Sequence, residues 1–524
     1  MTKRLEQPAD SSVDYNYRLI FFIILGTGIL LRVIKLIRMP LISPDGAGYI
    51  YNALSIQTDG LRSLFLHGFS GNFSIYPILI YYINLLIGNP ILSGQLISLF
   101  FGLLLIATVY FLTKEILGAR AGLLAAFLTA VHPILIRYSV DVLKDAMLFF
   151  FATASVVLAL SGHERKNYLL VFLAGIAAWT ASFVRIFGVV VVISITVAIV
   201  VSGLFERRPW RTIAYELMLF ALPAPLFGYL VFILFVGFKN EYIIQSLISL
   251  FLSIPQKLSL PSIYRDLLMS NNPAVDSQYL DVITSYPMLS AFAEFINVFV
   301  TAFYGVIFVF FLIGIYLDRS SLLKQGRRLF VLSCAGVLVV IDLMILMTIF
   351  LLSKRHAMIA VILLFPWAAL ALDQIILRCS QRMRKKQRMT VPAFNRIVLV
   401  FFIVWVILTL VFSSFLDRAD GKHYYMREAA EYIKKLGQVD PLILVLPTDA
   451  ALPVYAGGRR IILEDVAALE KIVAEKKPDF ILWDTRRGPI PESFMALSDA
   501  GIIEPIQTID GPGDHMIVIY RIAK

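Results

Sequence analysis

The chain is 524 residues long, 59% hydrophobic and 13% aromatic, with a net charge of +11. A water-soluble protein of that length splits into domains with polar surfaces and stays near about 45–50% apolar, so a soluble enzyme is excluded. The charge is uneven: from Asp420 onward there are 13 Lys/Arg against 16 Asp/Glu, which leaves 34 against 20, a net of +14, for everything before it, and this excess tracks the apolar runs as topology does, not as nucleic-acid binding does.

In chain order, a polar start from Met1 to Tyr17 leads into an apolar run at 18–38. That run lacks a small-residue cleavage site after a short core and reads as a retained first helix. Further apolar runs near the ~20 residues needed to cross a bilayer lie at 92–113, 121–137, 142–161, 168–184, 186–204, 212–236, 291–317, 329–352, 356–377 and 395–416, about eleven spans in all. Lys3–Arg4, Lys114/Arg120, Arg165–Lys166, Arg207–Arg208/Arg211, Arg319/Lys324/Arg327–Arg328 and Arg382 to Arg388 fall on one side of this threading. The excess of positive charge marks that side as cytoplasmic. The expectation is a multi-pass protein of a cell (plasma or inner) membrane, N-terminus inside and C-terminal region outside.

One stretch resists that pattern. Ser74–Gly88 is too short to cross and ends at Gly88-Asn89-Pro90, so it reads as interfacial or re-entrant inside a long outside loop, about 39–91. A second outside loop is expected at about 238–290. Cys334 falls in an apolar run and Cys379 in a basic loop, so no disulfide framework is implied. From Tyr424 the pattern becomes soluble α/β. A helix Tyr424–Leu436 is closed by Gly437, short strands stand at Leu442–Leu446, Arg460–Leu463 and Phe480–Trp483, and a helix Val466–Lys476 lies between the last two. The chain is thus divided into a transmembrane domain, 1–418, and an extracytoplasmic α/β domain, 419–524, in which no catalytic constellation is visible.

The chemistry-bearing residues gather at the outer ends of the spans. Ser43-Pro44-Asp45 opens a helix, with serine as cap and proline at its first position. At 100° per residue Asp45, Tyr49 and Asn52 share a face, while Ala47, Ile50 and Leu54 lie opposite and can float in the membrane interface. Gly46 and Gly48 allow something to approach the backbone closely. Asp45 is either a reactive carboxylate or a first-turn acid that complements the helix dipole. A second group runs from Arg137 to Asp145. Asp141 and Asp145, four apart, are read as facing the same way, with Lys144 able to pair with Asp141; such ionisable groups either act together or simply snorkel at the membrane edge. Arg185, between two spans, and Lys354-Arg355-His356 add cations on the same side; each also fits as an ordinary interfacial anchor. No HExxH, CxxC pair, Walker loop or GxSxG is present, so no metal site is assigned.

These positions resemble the GT-C superfamily of polytopic glycosyltransferases, in the branch of protein O-mannosyltransferases and lipid A aminoarabinose transferases. Asp45 with Tyr49, then Tyr76-Pro77 through Gly88, then Leu123–Asp145, then Lys354-Arg355-His356 followed by Pro366, match the family's motifs in order. Many relatives have Asp-Glu where Asp45-Gly46 stand here. The resemblance implies transfer of a sugar, with inversion, from a polyprenyl-phosphate carrier to the hydroxyl of a protein, lipid or glycan acceptor in the bilayer's outer aqueous space. It implies Asp45 as base and Asp145 as a second catalytic carboxylate, which with Asp141 would orient a sugar hydroxyl, Lys144 or the acceptor. Tyr49, Tyr76, Arg137, Asp141, Lys144, Arg185, Arg355 and His356 would bind substrate, and no cofactor is needed. The alternative is a polytopic transporter or lipid flippase, which would show repeat symmetry and charged, broken helices at mid-membrane.

Overall fold

A computed structural model describes residues 11–39, 41–62, 74–225, 228, 286–322, 324–349, 352–385, 398, 400–409, 422–463, 465–511 and 515–523. Most of the expected second outside loop, 238–290, lies outside the described residues, as do parts of the runs at 212–236 and 395–416.

The helices in order are α1 (Ser11–Arg38), α2 (Pro44–Asp59), α3 (Tyr76–Ile87), α4 (Pro90–Leu117), α5 (Ala119–Val131), α6 (Pro133–Val140), α7 (Asp145–Arg165), α8 (Tyr168–Val184), α9 (Val189–Phe205), α10 (Trp210–Ala221), α11 (Pro287–Ala302), α12 (Val306–Asp318), α13 (Gly326–Ile349), α14 (Lys354–Lys385) and α15 (Val400–Thr409). Six helical stretches are long and apolar enough to cross a membrane, and two bent pairs raise the number to eight among the described residues. The sequence suggested about eleven. The difference lies in short elements: α8 has 17 residues, α10 has 12, and α15 is an apolar helix of the 10–17-residue class. The run at 121–137 is the pair α5 and α6, bent by 60° at His132-Pro133, where proline removes an amide and crowds the preceding turn. The run at 291–317 is likewise broken, by 100°, at Tyr304 and Gly305, both with positive φ.

The chain folds as two compact units. The first holds Met1–Leu30, Phe100–Ile136 and Lys144–Val400; the second holds Leu31–Leu99, Arg137–Leu143 and Phe401–Lys524. In the first unit the helices bury small and apolar residues against one another, yet Leu19, Phe22, Ile23 and Leu30 on α1 and Phe111 on α4 are exposed. Apolar surface on this scale is stable in lipid and costly in water. At one end of this unit the basic loops meet. Arg165 pairs with Glu115, Arg327 Nε donates to Glu164 Oε2 (2.9 Å), and Arg327 Nη1 donates to the Glu115 carbonyl (3.2 Å). The loops that the charge pattern assigns to one side are therefore joined by ion pairs.

The second unit contains the α/β domain. Its sheet has the order β2-β1-β3-β5-β4, with β1 (Leu442–Val445) parallel to β2 (Arg459–Ile462) and β3 (Phe480–Asp484). β5 (Met516–Ile522) runs antiparallel to β3 and to β4 (Ile503–Asp510). Helices α16 (Lys422–Lys435), α17 (Leu452–Ala456), α18 (Leu469–Lys476) and α19 (Glu492–Asp499) complete it. β3 is buried along its whole length, and Trp483, Phe494 and Tyr520 pack ring to ring in the core. The parallel half matches the strands read from sequence; the β4–β5 hairpin is an addition to that reading.

Candidate active site

Helix α2 begins as its residues dictate. Ser43 is the cap, extended at φ −65° and ψ 158°, and its Oγ accepts from the Gly46 amide at 3.2 Å. Pro44 takes the first position, and Asp45 stands half-buried in the first turn. Ahead of the cap, Asp141 Oδ1 accepts from the Ser43 amide (3.1 Å) and from the Val142 amide (2.7 Å). Asp141 is 2% exposed. Burial raises its carboxyl above the usual range, opposed by those hydrogen bonds and by the charge of Arg137.

The close approach that Gly46 permits is made by Val142. A Cβ on Gly46 would stand 2.9 Å from the Val142 carbonyl oxygen, and one on Gly94 would stand 2.6 Å from Val142 Cγ1. The valine thus fills a notch between two glycines. Tyr49 lays its ring edge-on to Tyr76, centroids 5.5 Å apart. Tyr76 is fully buried; its Oη donates to the Gly94 carbonyl (2.9 Å) and forms a second hydrogen bond with Ser98 Oγ (2.8 Å). α3 has 12 residues, about 18 Å of helix, which is too short to cross a bilayer and agrees with the interfacial reading of Ser74–Gly88. The assignment of faces on α2 needs correction. Ala47 and Ile50 are buried inside the protein, Asn52 is also buried, and only Leu54 of the apolar set is exposed. The helix packs its apolar face on α3 instead of presenting it to lipid.

Asp141 and Asp145 do not share a helix face. α6 ends at Val140, residues 141–144 are not helical, and α7 starts at Asp145, so the four-residue spacing carries no helical phase. They also fall in different units, the division passing between Leu143 and Lys144. In the first unit Asp145 is 1% exposed, with Oδ1 accepting from Arg185 Nη1 at 2.9 Å. Asp145 Oδ2 is buried with no hydrogen-bond partner among the described residues. Arg185 caps the C-terminus of α8, and its Nη2 lies 3.2 Å from His356 Nε2. His356 Nδ1 is 3.1 Å from Ser353 Oγ. A guanidinium has only donors, so Nε2 accepts, His356 is neutral, and its Nδ1–H donates to the serine. The four side chains form one chain of hydrogen bonds, Asp145–Arg185–His356–Ser353. Lys144 is buried, Arg355 is half-buried, and Arg137 is exposed on α6. Among the described residues no group of three or more His, Cys, Asp or Glu is placed to hold a metal ion.

Sequence reasoning missed Ser353, whose pairing with His356 a three-residue spacing could have suggested. It also missed Tyr51, Tyr455 and Arg460, which meet within the second unit. The Ile42 amide donates to Tyr455 Oη (3.1 Å), Tyr51 Oη donates to the Gly458 carbonyl (2.9 Å), and the Arg460 guanidinium lies 4.5 Å over the Tyr51 ring. Burial pushes Tyr455 up to about 12, against the Ile42 hydrogen bond and the charge of Arg427, with Asp141 adding to the rise.

The architecture is that of a polytopic helical membrane protein with a C-terminal α/β domain. Its fold is that of the GT-C glycosyltransferases. The family model for dolichyl-phosphate-mannose-protein mannosyltransferase matches residues 75–229. ArnT from Cupriavidus metallidurans in the apo state superposes with a TM-score of 0.59 at 14% identity, over 97% of this chain and 98% of that one. The same protein bound to undecaprenyl phosphate gives 0.56 at 13% identity, over 95% and 97%. The Archaeoglobus fulgidus oligosaccharyltransferase in complex with Zn and sulfate gives 0.58 at 12% identity, over 91% of this chain and 69% of that one. No curated protein sequence matches the chain.

Proposed function

We propose that the chain is a membrane glycosyltransferase that moves a sugar from a polyprenyl-phosphate carrier to an acceptor hydroxyl outside the cytoplasm, with inversion at the anomeric carbon. The observation that carries this reading is Arg185, a cation held between Asp145 and His356 in a chain of this fold. Support for the donor comes from the neighbours: one is bound to undecaprenyl phosphate, and an archaeal oligosaccharyltransferase, AglB, is in complex with a dolichol-phosphate. The family model and the fold neighbours support glycosyl transfer, and neither favours a transporter or flippase.

The reaction follows from the side chains. The acceptor oxygen attacks the anomeric carbon, the bond from that carbon to the phosphate oxygen breaks, and the polyprenyl phosphate leaves with the electron pair. An acceptor hydroxyl is a weak acid, so Asp45 takes its proton during attack. The leaving phosphate is already a good anion and needs cations, which Arg185, Lys144 and Arg355 supply. Asp145 fixes Arg185 through Oδ1 and keeps Oδ2 for a sugar or acceptor hydroxyl. Tyr49, Tyr76, Arg137, Asp141 and His356 complete the binding set, Tyr76 and Asp141 from within the scaffold. The apolar spans hold the isoprenoid tail, at about 0.8 kcal/mol per buried CH₂. On this reading the active site and the domain at 419–524 face outward, which the one-sided Lys/Arg pattern supports.

The test offers purified protein a nucleotide sugar and, separately, the matching polyprenyl-phosphate sugar, each with and without chelator. Transfer from the lipid donor alone, with or without chelator, is expected. Direct use of the nucleotide sugar would overturn the donor, and loss of transfer in chelator would overturn the metal-free reaction.

A further inference from the structure

The start of α2 is held by side chains remote from it in sequence. Ile42 and Ser43 are the last two residues before the helix, and neither amide has a helical partner. Each ends on a side chain instead, Ile42 on Tyr455 Oη and Ser43 on Asp141 Oδ1. Ile42 is 1% exposed, and a buried amide needs an acceptor. The Tyr455 hydroxyl is that acceptor. Nearly two turns into the helix, about 10 Å from Pro44 at 1.5 Å per residue, Tyr51 makes the second contact, to the Gly458 carbonyl and beneath Arg460. Two contacts so far apart fix the direction of the helix as well as its first turn, where Asp45 stands.

The holding residues are themselves closely packed. Tyr455 lies on α17, which packs on α16 and is closed by Gly457 at φ 74°. Gly458 is tight against the chain, since a Cβ there would meet the Pro441 carbonyl at 2.3 Å. The α/β domain has its own core around Leu444, Ile481, Trp483 and Phe494, and α2 has its own packing on α3. Each element therefore has packing of its own besides this contact.

We propose that the α/β domain is a positioning element for the helix that carries Asp45, acting through the Tyr455 hydroxyl on the Ile42 amide and through Tyr51 on the Gly458 carbonyl. The proposal rests on the reading of Asp45 as the base. It makes Tyr455 and Tyr51 positioning residues, which touch no reacting atom. The domain's contribution is the placement of a carboxylate that lies more than four hundred residues earlier.

The experiment uses the full-length protein in detergent with Tyr455→Phe, Tyr51→Phe, the double variant and Asp45→Asn. Amide exchange is followed over residues 41–50 and over β1 and β3, and kcat and KM are measured for a polyprenyl-phosphate sugar. Tyr455→Phe should raise exchange over 41–50 about tenfold, leave β1 and β3 protected, and lower kcat about 5- to 30-fold with donor KM within twofold. The double variant should lose more. Unchanged exchange over 41–50 would overturn the contact. Raised exchange with kcat within twofold of wild type, or a loss confined to donor KM, would overturn its role in placing the helix for transfer. Asp45→Asn separates the two readings. If it stays active while Tyr455→Phe raises exchange and lowers kcat, the base assignment fails and the positioning stands. If it abolishes transfer while Tyr455→Phe changes nothing, the positioning fails and the base stands.

Discussion

Asp141 and Asp145 are four residues apart, both almost fully buried, and they are satisfied in opposite ways. Asp141 spends Oδ1 on two backbone amides, those of Ser43 and Val142, and so ties two stretches of main chain together. Asp145 accepts from one guanidinium, Arg185, and leaves Oδ2 buried with no partner among the described residues. A carboxylate whose Oδ1 takes two backbone amides is architecture, because that oxygen ties main chain to main chain. One that fixes a cation and holds an oxygen in reserve is incomplete until something else arrives, since a buried acceptor left alone costs free energy. Burial alone does not separate the two kinds of acid; the partners of Oδ1 do, backbone amides for one and a guanidinium for the other.

The largest effect expected belongs to a third acid. Asp45→Asn keeps the shape of the side chain and removes the proton acceptor, so turnover of a polyprenyl-phosphate sugar should fall by ~10²–10⁴ with the protein still folded. A loss below about tenfold would remove Asp45 as base. The comparison itself is tested next. Asp145→Asn should lower kcat about 10- to 100-fold, as weakening a charge-assisted pair in a buried site does, while Asp141→Asn costs clearly less. If Asp141→Asn were the more damaging to kcat, the roles assigned to the two acids would be exchanged.

Stability should rank them the other way. Asp141→Ala strands the Ser43 and Val142 amides at about 1–3 kcal/mol each, which thermal melting will show, whereas Asp141→Asn keeps an acceptor oxygen and costs less. The pH dependence sharpens this. Burial raises the folded-state pKa of Asp141. A raised pKa contributes stability that is complete below the unfolded value, about 3.9, and is lost as pH climbs through the folded one. The melting temperature of wild type relative to Asp141→Asn should therefore decline as pH rises above about 4. A difference that stays flat or grows with pH would show that the two amides outweigh burial. The smallest perturbation addresses sidedness: a cysteine at Asp510 should react with an impermeant reagent on intact cells while Cys379 does not, and the reverse pattern would invert the topology.

Much of this was legible where the signal is local. Ser43-Pro44 marks the start of α2, Gly88 ends α3, and three short apolar runs give β1, β2 and β3, because caps, turns and strand patterns act over a few residues. The glycine at 46 announced a close approach without naming its partner. The failures have a common cause. Treating Asp141 and Asp145 as helical neighbours assumed a helix through 141–144, but Asp141 turns its carboxylate onto the backbone there and the helix stops. The β4–β5 hairpin has Pro505 inside β4 and a register shift between Pro505 and Gln507, which blurs its alternation. The acceptor for the Ile42 amide lies 413 residues away, and no periodicity spans that distance.

The notch at Gly46 carries a consequence for substitution. Val142 sits against Gly46 on one side and Gly94 on the other, so these three positions share one volume. Position 46 cannot change by itself: Gly46→Glu, which would bring the Asp-Glu pair of similar enzymes, drives a Cβ into the Val142 carbonyl. Shrinking residue 142 relieves its side chain and leaves its backbone in the way. An Asp-Glu pair is reachable from this chain only by drawing the 141–143 segment back from α2, which gives up the Asp141 tie to Ser43. The glycine after Asp45 and the aspartate at 141 are therefore coupled: a side chain at 46 is expected to cost the tie to Ser43 as well.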